Sequence, residues 1–149
     1  MDRFVTAAAF EFDIRAGEFT VANAAHVPAM VRSADGRSVS VVGRPSGMPL
    51  GILASTRYVE EHHELRQGDV VVLMTDGILE AIEADLDIMS TSTRLLADAS
   101  GGAVAVHRLF LQTYEERNRG RCADDITLVT LEPTNGPAAR RTVDSIGPN

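Results

Sequence analysis

Hydrophobic and polar positions change rhythm once along this chain, just after Gly77. Before that point the pattern is short and strand-like. Phe4 to Asp13 alternates loosely, with Phe10 and Phe12 on one face and Glu11 and Asp13 on the other, the period-two signature of a half-buried strand. Arg15-Ala16-Gly17-Glu18 reads as a turn and Glu18 to Ala24 as the returning strand of a hairpin. His26-Val27-Pro28 interrupts the pattern. Ala29 to Arg32 and Ser38 to Val42 are predicted strands on either side of the turn signal Ala34-Asp35-Gly36-Arg37. Gly43 to Gly51 carries three glycines and two prolines and reads as a loop. Arg57 to Leu65 is a predicted fifth strand, and Gln67-Gly68-Asp69 turns the chain into Val70–Thr75. This last strand opens with a continuous apolar run, Val70-Val71-Val72-Leu73-Met74, which predicts burial on both faces.

After Gly77 the spacing becomes helical. Ile78, Leu79, Ala81, Ile82 and Leu86 recur near a 3.6-residue period. Thr91 to Ala99 predicts a short helix with Leu95 and Leu96 inward, broken by Gly101-Gly102. Ala103 to Arg119 carries the clearest helical stripe, Val106, Leu109, Phe110, Thr113 and Tyr114, with Gly120 in the C-terminal capping position. Ile126–Leu131 returns to a strand pattern. From Pro133 onward Pro, Gly, Ala and Arg predominate, so residues 1–132 read as the folded portion and 133–149 as a flexible tail. Strands, then helices, then one returning strand predict an α+β fold with a mostly antiparallel sheet, the last strand lying beside Val70–Thr75.

Composition narrows the function classes. A chain of 149 residues with 44% apolar content forms one domain with a core. Aromatic content is 5% with no Trp, and net charge is −7; both argue against a nucleic-acid surface, and the charge argues against an anionic membrane. A single cysteine, Cys122, excludes an internal disulfide and fits a reducing compartment. No apolar run reaches a membrane-spanning length, and the N-terminus has no signal-peptide pattern, so the expected location is cytoplasmic.

The candidate chemistry is acidic. Asp76 follows the apolar strand and Asp124-Asp125 precedes the last one. Carboxylates held at neighbouring strand ends are what a hard cation such as Mg²⁺ or Mn²⁺ requires of a protein, with water in the remaining positions. Each motif also has a plainer reading, Asp76-Gly77 as a turn and the paired acids as solvated. Asn23-Ala24-Ala25-His26 closes a strand in a small-residue turn; His26 is a candidate ligand or base, or shapes that turn. His62 and His63 are adjacent, so strand geometry points them to opposite faces and away from a shared metal. Nothing marks Cys122 as activated. Arg117, Arg119 and Arg121 form a basic cluster that reads as a phosphate contact or as a solvated helix end.

In this order the segments resemble the metal-dependent PPM (protein phosphatase 2C-type) serine/threonine phosphatases, in the bacterial SpoIIE/RsbU branch. Phe4-Val5-Thr6-Ala7 opens a strand as that branch does. Val21-Ala22-Asn23-Ala24-Ala25-His26-Val27-Pro28-Ala29 resembles its "NAGHPP" segment, with Ala25 for the usual Gly and Val27 for a Pro. Met48-Pro49-Leu50-Gly51-Ile52 resembles its "PLGI" loop. Leu65 to Ala81 is similar to "L-x-x-GD…TDG-x-x-EA", and Ala123 to Val129 to the closing "DDiTl" strand. The resemblance implies two packed antiparallel sheets flanked by helices. It implies a site with Mn²⁺ or Mg²⁺ that activates a water against phosphoserine or phosphothreonine. The candidate metal residues are then Asp76, Asp124 and Asp125. By motif position Asp76 and Asp124 ligate directly, and Asp125 stands where the family has Asn or Asp without direct ligation.

One departure is large. The family's "GD-x-x-D" strand and "DGHG"-like turn, which supply the acids bridging two metals, are not in this sequence. The resemblance therefore implies the C-terminal part of such a phosphatase domain, acting on a phosphorylated regulator of the anti-anti-sigma-factor type, with activity impaired by the missing ligands. The alternative is a non-catalytic interaction module or pseudophosphatase. With less of the family's fold present, the sheet expected to hold both Phe4–Asp13 and Val70–Thr75 would expose an apolar face, and the chain would self-associate, as a homodimer, or need a partner. The competing expectation is that Ala103–Arg119 closes the core by itself.

Overall fold

The computed structural model describes residues 3–82, 89–118, 125–134 and 144–146. Strand β1 (Ala7–Asp13) turns into β2 (Glu18–Ala24) as the alternation predicts. The turn is closed by Asp13, whose carboxylate accepts the backbone N–H of Arg15 and of Ala16, both at 2.9 Å. Strand β5 (Glu60–Glu64) pairs on the far side of β2, giving a three-stranded antiparallel sheet β1-β2-β5. Pairing places Phe12 opposite Phe19 and Phe19 opposite His63. The three rings form a continuous stack, with centroids 5.5 Å and 5.0 Å apart.

The second sheet has the order β4-β3-β6-β7-β8, built from β3 (Ala29–Arg32), β4 (Val39–Val42), β6 (Val70–Met74), β7 (Ile126–Leu131) and β8 (Asp144–Ile146). Every pairing in it is antiparallel. The strand β8 lies within the stretch read as a tail; residues 135–143, between β7 and β8, lie outside the described residues.

Strand β6 is central, and its two faces enter different cores. Val71 and Leu73 pack with Phe19, Val21, Ala29 and Val42 between the sheets. Val70, Val72 and Met74 face α1 (Asp76–Ile82), α2 (Ser90–Asp98) and α3 (Ala103–Asn118), meeting Ile78, Ile82, Leu96, Val106 and Phe110. Val70, Val71 and Val72 are all fully buried, which is why this strand has no polar alternation to show in sequence.

The layers are therefore sheet, sheet and helices: an α+β sandwich flanked by helices. Phe4–Asp13 and Val70–Thr75 do not share a sheet. The expectation of one uncovered apolar sheet is corrected accordingly. The sheet holding β6 is covered by helices on one side and by the three-stranded sheet on the other. The outward face of the three-stranded sheet carries Glu11, Asp13, Glu18, Thr20, Glu60, His62 and Glu64, a polar surface. The large exposed apolar side chains are instead Phe4, Val5, Met48, Leu50, Ile52 and Leu53, in two segments joined where Val5 and Leu50 exchange backbone hydrogen bonds of 2.9 and 2.8 Å, with Ile14, Val59 and Val104 elsewhere.

Candidate functional site

The ends of β6 and β7 meet through one hydroxyl. Beyond the last paired residues, Met74 and Leu128, the N–H of Thr75 donates to the carbonyl of Thr127 at 3.0 Å. The Thr75 hydroxyl accepts the N–H of Thr127 at 2.9 Å and donates to the carbonyl of Asp125 at 3.3 Å. The Thr75 carbonyl also accepts from Ile78 and Leu79 at 3.2 and 3.4 Å, opening α1. A single residue thus ends a strand, starts a helix and ties both to the start of β7. Asp76 is the first residue of that helix, and its side chain is exposed while Gly77, Ile78, Leu79 and Ile82 behind it are buried. Asp125 is exposed too, and its backbone is one hydrogen bond from the residue preceding Asp76.

Of the three predicted metal residues, Asp76 and the backbone of Asp125 are thereby brought to one end of the sheet, and Asp124 lies outside the described residues. Among the described residues no three His, Cys, Asp or Glu side chains converge as a metal site. The donor chemistry that is present, exposed carboxylates on rigid supports, is of the kind that suits Mn²⁺ or Mg²⁺. Thr75 was not singled out from sequence; its signal is the position between an apolar strand and an Asp-Gly pair.

The β2–β3 turn arrives at the same end, because β3 runs antiparallel to β6 with Met30 opposite Val72. Asn23, 1% exposed, organises this turn. Its carbonyl oxygen accepts the His26 N–H at 2.7 Å, and its amide donates to the carbonyls of His26 at 3.0 Å and Gly43 at 2.6 Å. The side chain that shapes the turn is therefore Asn23. The His26 ring is half-buried and pairs through Nδ1 with the Thr6 hydroxyl at 3.1 Å. Ala25 sits at φ +57°, in the left-handed region, where a Cβ costs roughly 1–2 kcal/mol. We expect Ala25→Gly to raise stability by about 1 kcal/mol, a gain of about 2–4 °C in thermal midpoint, after allowing for the added freedom of the unfolded chain. A thermal melt with an unchanged or lower midpoint would contradict it.

The remaining candidates are accounted for differently. His62 is exposed and pairs with the Thr20 hydroxyl at 2.9 Å, whereas His63 stacks on Phe19 and lies 3.2 Å from Glu61, so the two do point to opposite faces. Arg117 donates to the carbonyl of Ile82, the last residue of α1, and so ties two helices together. Arg119, Arg121 and Cys122 lie outside the described residues. Among the described residues no helix is long and apolar enough to cross a membrane.

Two packed antiparallel sheets with helices on one side, and an acid-bearing junction of two central strands, define the class of the PP2C-type phosphatase fold. Solved structures agree. The phosphatase domain of the cell-fate determinant SpoIIE from Bacillus subtilis (Mn presoaked) matches with a TM-score of 0.72 at 16% identity, over 91% of this chain and 59% of that one. The RsbU and RsbW domains of a Mycobacterium tuberculosis protein match at 0.68 and 29% identity, over 87% and 37%. The SiaA-PP2C domain of Pseudomonas aeruginosa matches at 0.66 and 20% identity, over 85% and 51%. The chain thus spans less than two thirds of each of these relatives. No curated protein matches it. Residues 1–134 match the family Stage II sporulation protein E (SpoIIE), and the chain belongs to that family.

Proposed function

We propose that this chain is the part of a PPM-type protein serine/threonine phosphatase that holds one side of its metal centre. The observation that carries the reading is the Thr75 junction, which sets Asp76 at the end of β6 next to the start of β7, where the second acidic motif stands. In this reading Asp76 and Asp124 are ligands of Mn²⁺ or Mg²⁺, and Asp125 is the accompanying acid. The metal, when bound, supplies an activated water for attack on a phosphoserine or phosphothreonine. The protein's own part is geometric. The hydroxyl and backbone of Thr75 fix the spacing of the two strand ends, and the buried start of α1 keeps the Asp76 carboxylate aimed outward.

The substrate we propose is a phosphorylated regulatory protein of the anti-anti-sigma-factor type. Its support is the family and the likeness to a protein in which RsbU and RsbW domains occur together. The sequence carries two of the family's direct ligands and no "GD-x-x-D" motif. We therefore expect little or no catalysis by this chain, since two carboxylates hold a hard cation weakly and a two-metal site loses most of its rate with either ion. Purified chain with added Mn²⁺ should hydrolyse a phosphoserine peptide at close to the uncatalysed rate; robust Mn²⁺-dependent turnover would overturn this part of the proposal. A second reading is a non-catalytic interaction module, kept because this sequence lacks the family's "GD-x-x-D" acids. It predicts no response to metal at all.

A further inference from the structure

We propose, on the reading of Asp76 as a metal ligand, that the His26 imidazole binds the same ion and biases the site toward Mn²⁺ over Mg²⁺. The hydrogen bonds that hold the β2–β3 turn come from the Asn23 side chain, which engages the backbone of His26 and of Gly43. The turn does not need the imidazole. That ring is half-buried and is tied elsewhere, to the Thr6 hydroxyl just before β1.

The stacking of the sheets carries that ring toward the acid-bearing strand ends. Glu61 of β5 accepts the N–H of Gly43, just past β4, at 3.0 Å, so β5 lies toward β4. Strand β2 runs into β3 through the turn. The order β1-β2-β5 laid on β4-β3-β6-β7 then brings β1 toward β6 and β7. Phe10 and Phe12 of β1 share the inter-sheet core with Leu73 of β6 and Leu131 of β7, as this stacking requires. Ala7 pairs with Ala24, so β1 begins at the end where β2 finishes. That is also the end where β6 finishes and β7 begins. Thr6 thus holds His26 on the side of the turn that faces the junction carrying Asp76 and Asp125.

The hydrogen bond to Thr6 engages Nδ1 at 3.1 Å and leaves Nε2 as the atom the ring offers to an ion. A ring oriented through one nitrogen while the other binds is the usual arrangement of a ligating histidine. His26 and Asp76 supply two donors; Asp124, outside the described residues, supplies the third, which agrees with no group of three among those described. An all-oxygen set suits Mg²⁺ and Mn²⁺ alike. Imidazole suits Mn²⁺ better than the harder Mg²⁺, which keeps to oxygen. His26 is therefore the residue that discriminates between the two ions.

Pulsed electron paramagnetic resonance of the 149-residue chain with Mn²⁺ tests this, because a bound imidazole couples its nitrogen to the metal. The coupling should be present in the parent and should change when ¹⁵N-histidine is incorporated. The chain has four histidines, so His26→Gln makes the assignment. It should abolish the coupling and weaken Mn²⁺ binding about tenfold while moving Mg²⁺ affinity less than about twofold. His26→Asp should recover Mn²⁺ binding and tighten Mg²⁺ with it, with circular dichroism verifying that each variant is folded. Mn²⁺ that binds through Asp76 without nitrogen coupling, or a coupling that survives His26→Gln, overturns the role of His26 and leaves that of Asp76 standing. No Mn²⁺ binding to the parent overturns both.

Discussion

Replacing Arg32 by Ala is expected to cost about 2–4 kcal/mol. Arg32 lies on β3 and is only 5% exposed. Its guanidinium donates from one nitrogen to the carbonyl of Ala99, just past the end of α2, and from another to the carbonyl of Gly101 in the loop before α3. Those carbonyls belong to a helix end and a glycine turn that have no strand ladder to satisfy them. Removing the side chain takes away two charge-assisted bonds, to half-buried Ala99 and exposed Gly101, and leaves a void where the buried Arg32 side chain packed. For a chain of 149 residues the thermal midpoint should fall by about 8 °C. Arg32→Lys should recover part of the loss, since one ammonium cannot span both carbonyls with the geometry of a planar fork. A fall in midpoint below about 3 °C for Arg32→Ala would contradict the assignment.

Asp69→Ala is expected to cost about 2 kcal/mol. Asp69 is 8% exposed and carries no strand hydrogen bond of its own to a sheet partner in the described pairings. One carboxylate oxygen accepts the N–H of Ala34 at 2.9 Å, in the β3–β4 turn. The other accepts the N–H of Arg66 at 2.8 Å, in the turn leading into β6. The side chain thus joins two turns that are distant in sequence and closes the start of the central strand. Truncation takes the protein acceptor from both donors and unties the two turns. Asp69→Asn keeps one acceptor and should lose about half as much. Urea titrations that give equal stability for the parent and Asp69→Ala would contradict this.

These two residues also mark the limit of what could be read from the chain. The hairpin β1–β2, the doubly buried β6 and the long helix α3 announce themselves because their signals are local: alternation, a continuous apolar run, and a helical stripe in which Val106 and Phe110 are indeed fully buried. The partner of a strand is not a local property. Alternation in Phe4–Asp13 says that one face is apolar, but not that this face meets β6 across a sandwich, in another sheet. Arg32 reads as an ordinary charge ending a short strand, since its partners are 67 and 69 residues away. Asp69 reads as a turn residue, which it is, but the second turn it holds is 35 residues upstream. At the candidate site the acids were visible as motifs. Thr75 was not, because its hydroxyl acts on backbone groups 50 and 52 residues further on.

The reading of the site rests on Asp76 as a metal ligand, and Mn²⁺ binding measured by electron paramagnetic resonance tests it without requiring turnover. The parent chain should bind Mn²⁺ weakly and saturably, and Asp76→Asn should weaken that binding by about tenfold or more while leaving the thermal midpoint nearly unchanged, because the carboxylate is exposed and contributes no packing. Equal Mn²⁺ affinity in the parent and in Asp76→Asn, or no binding in either, would contradict the account.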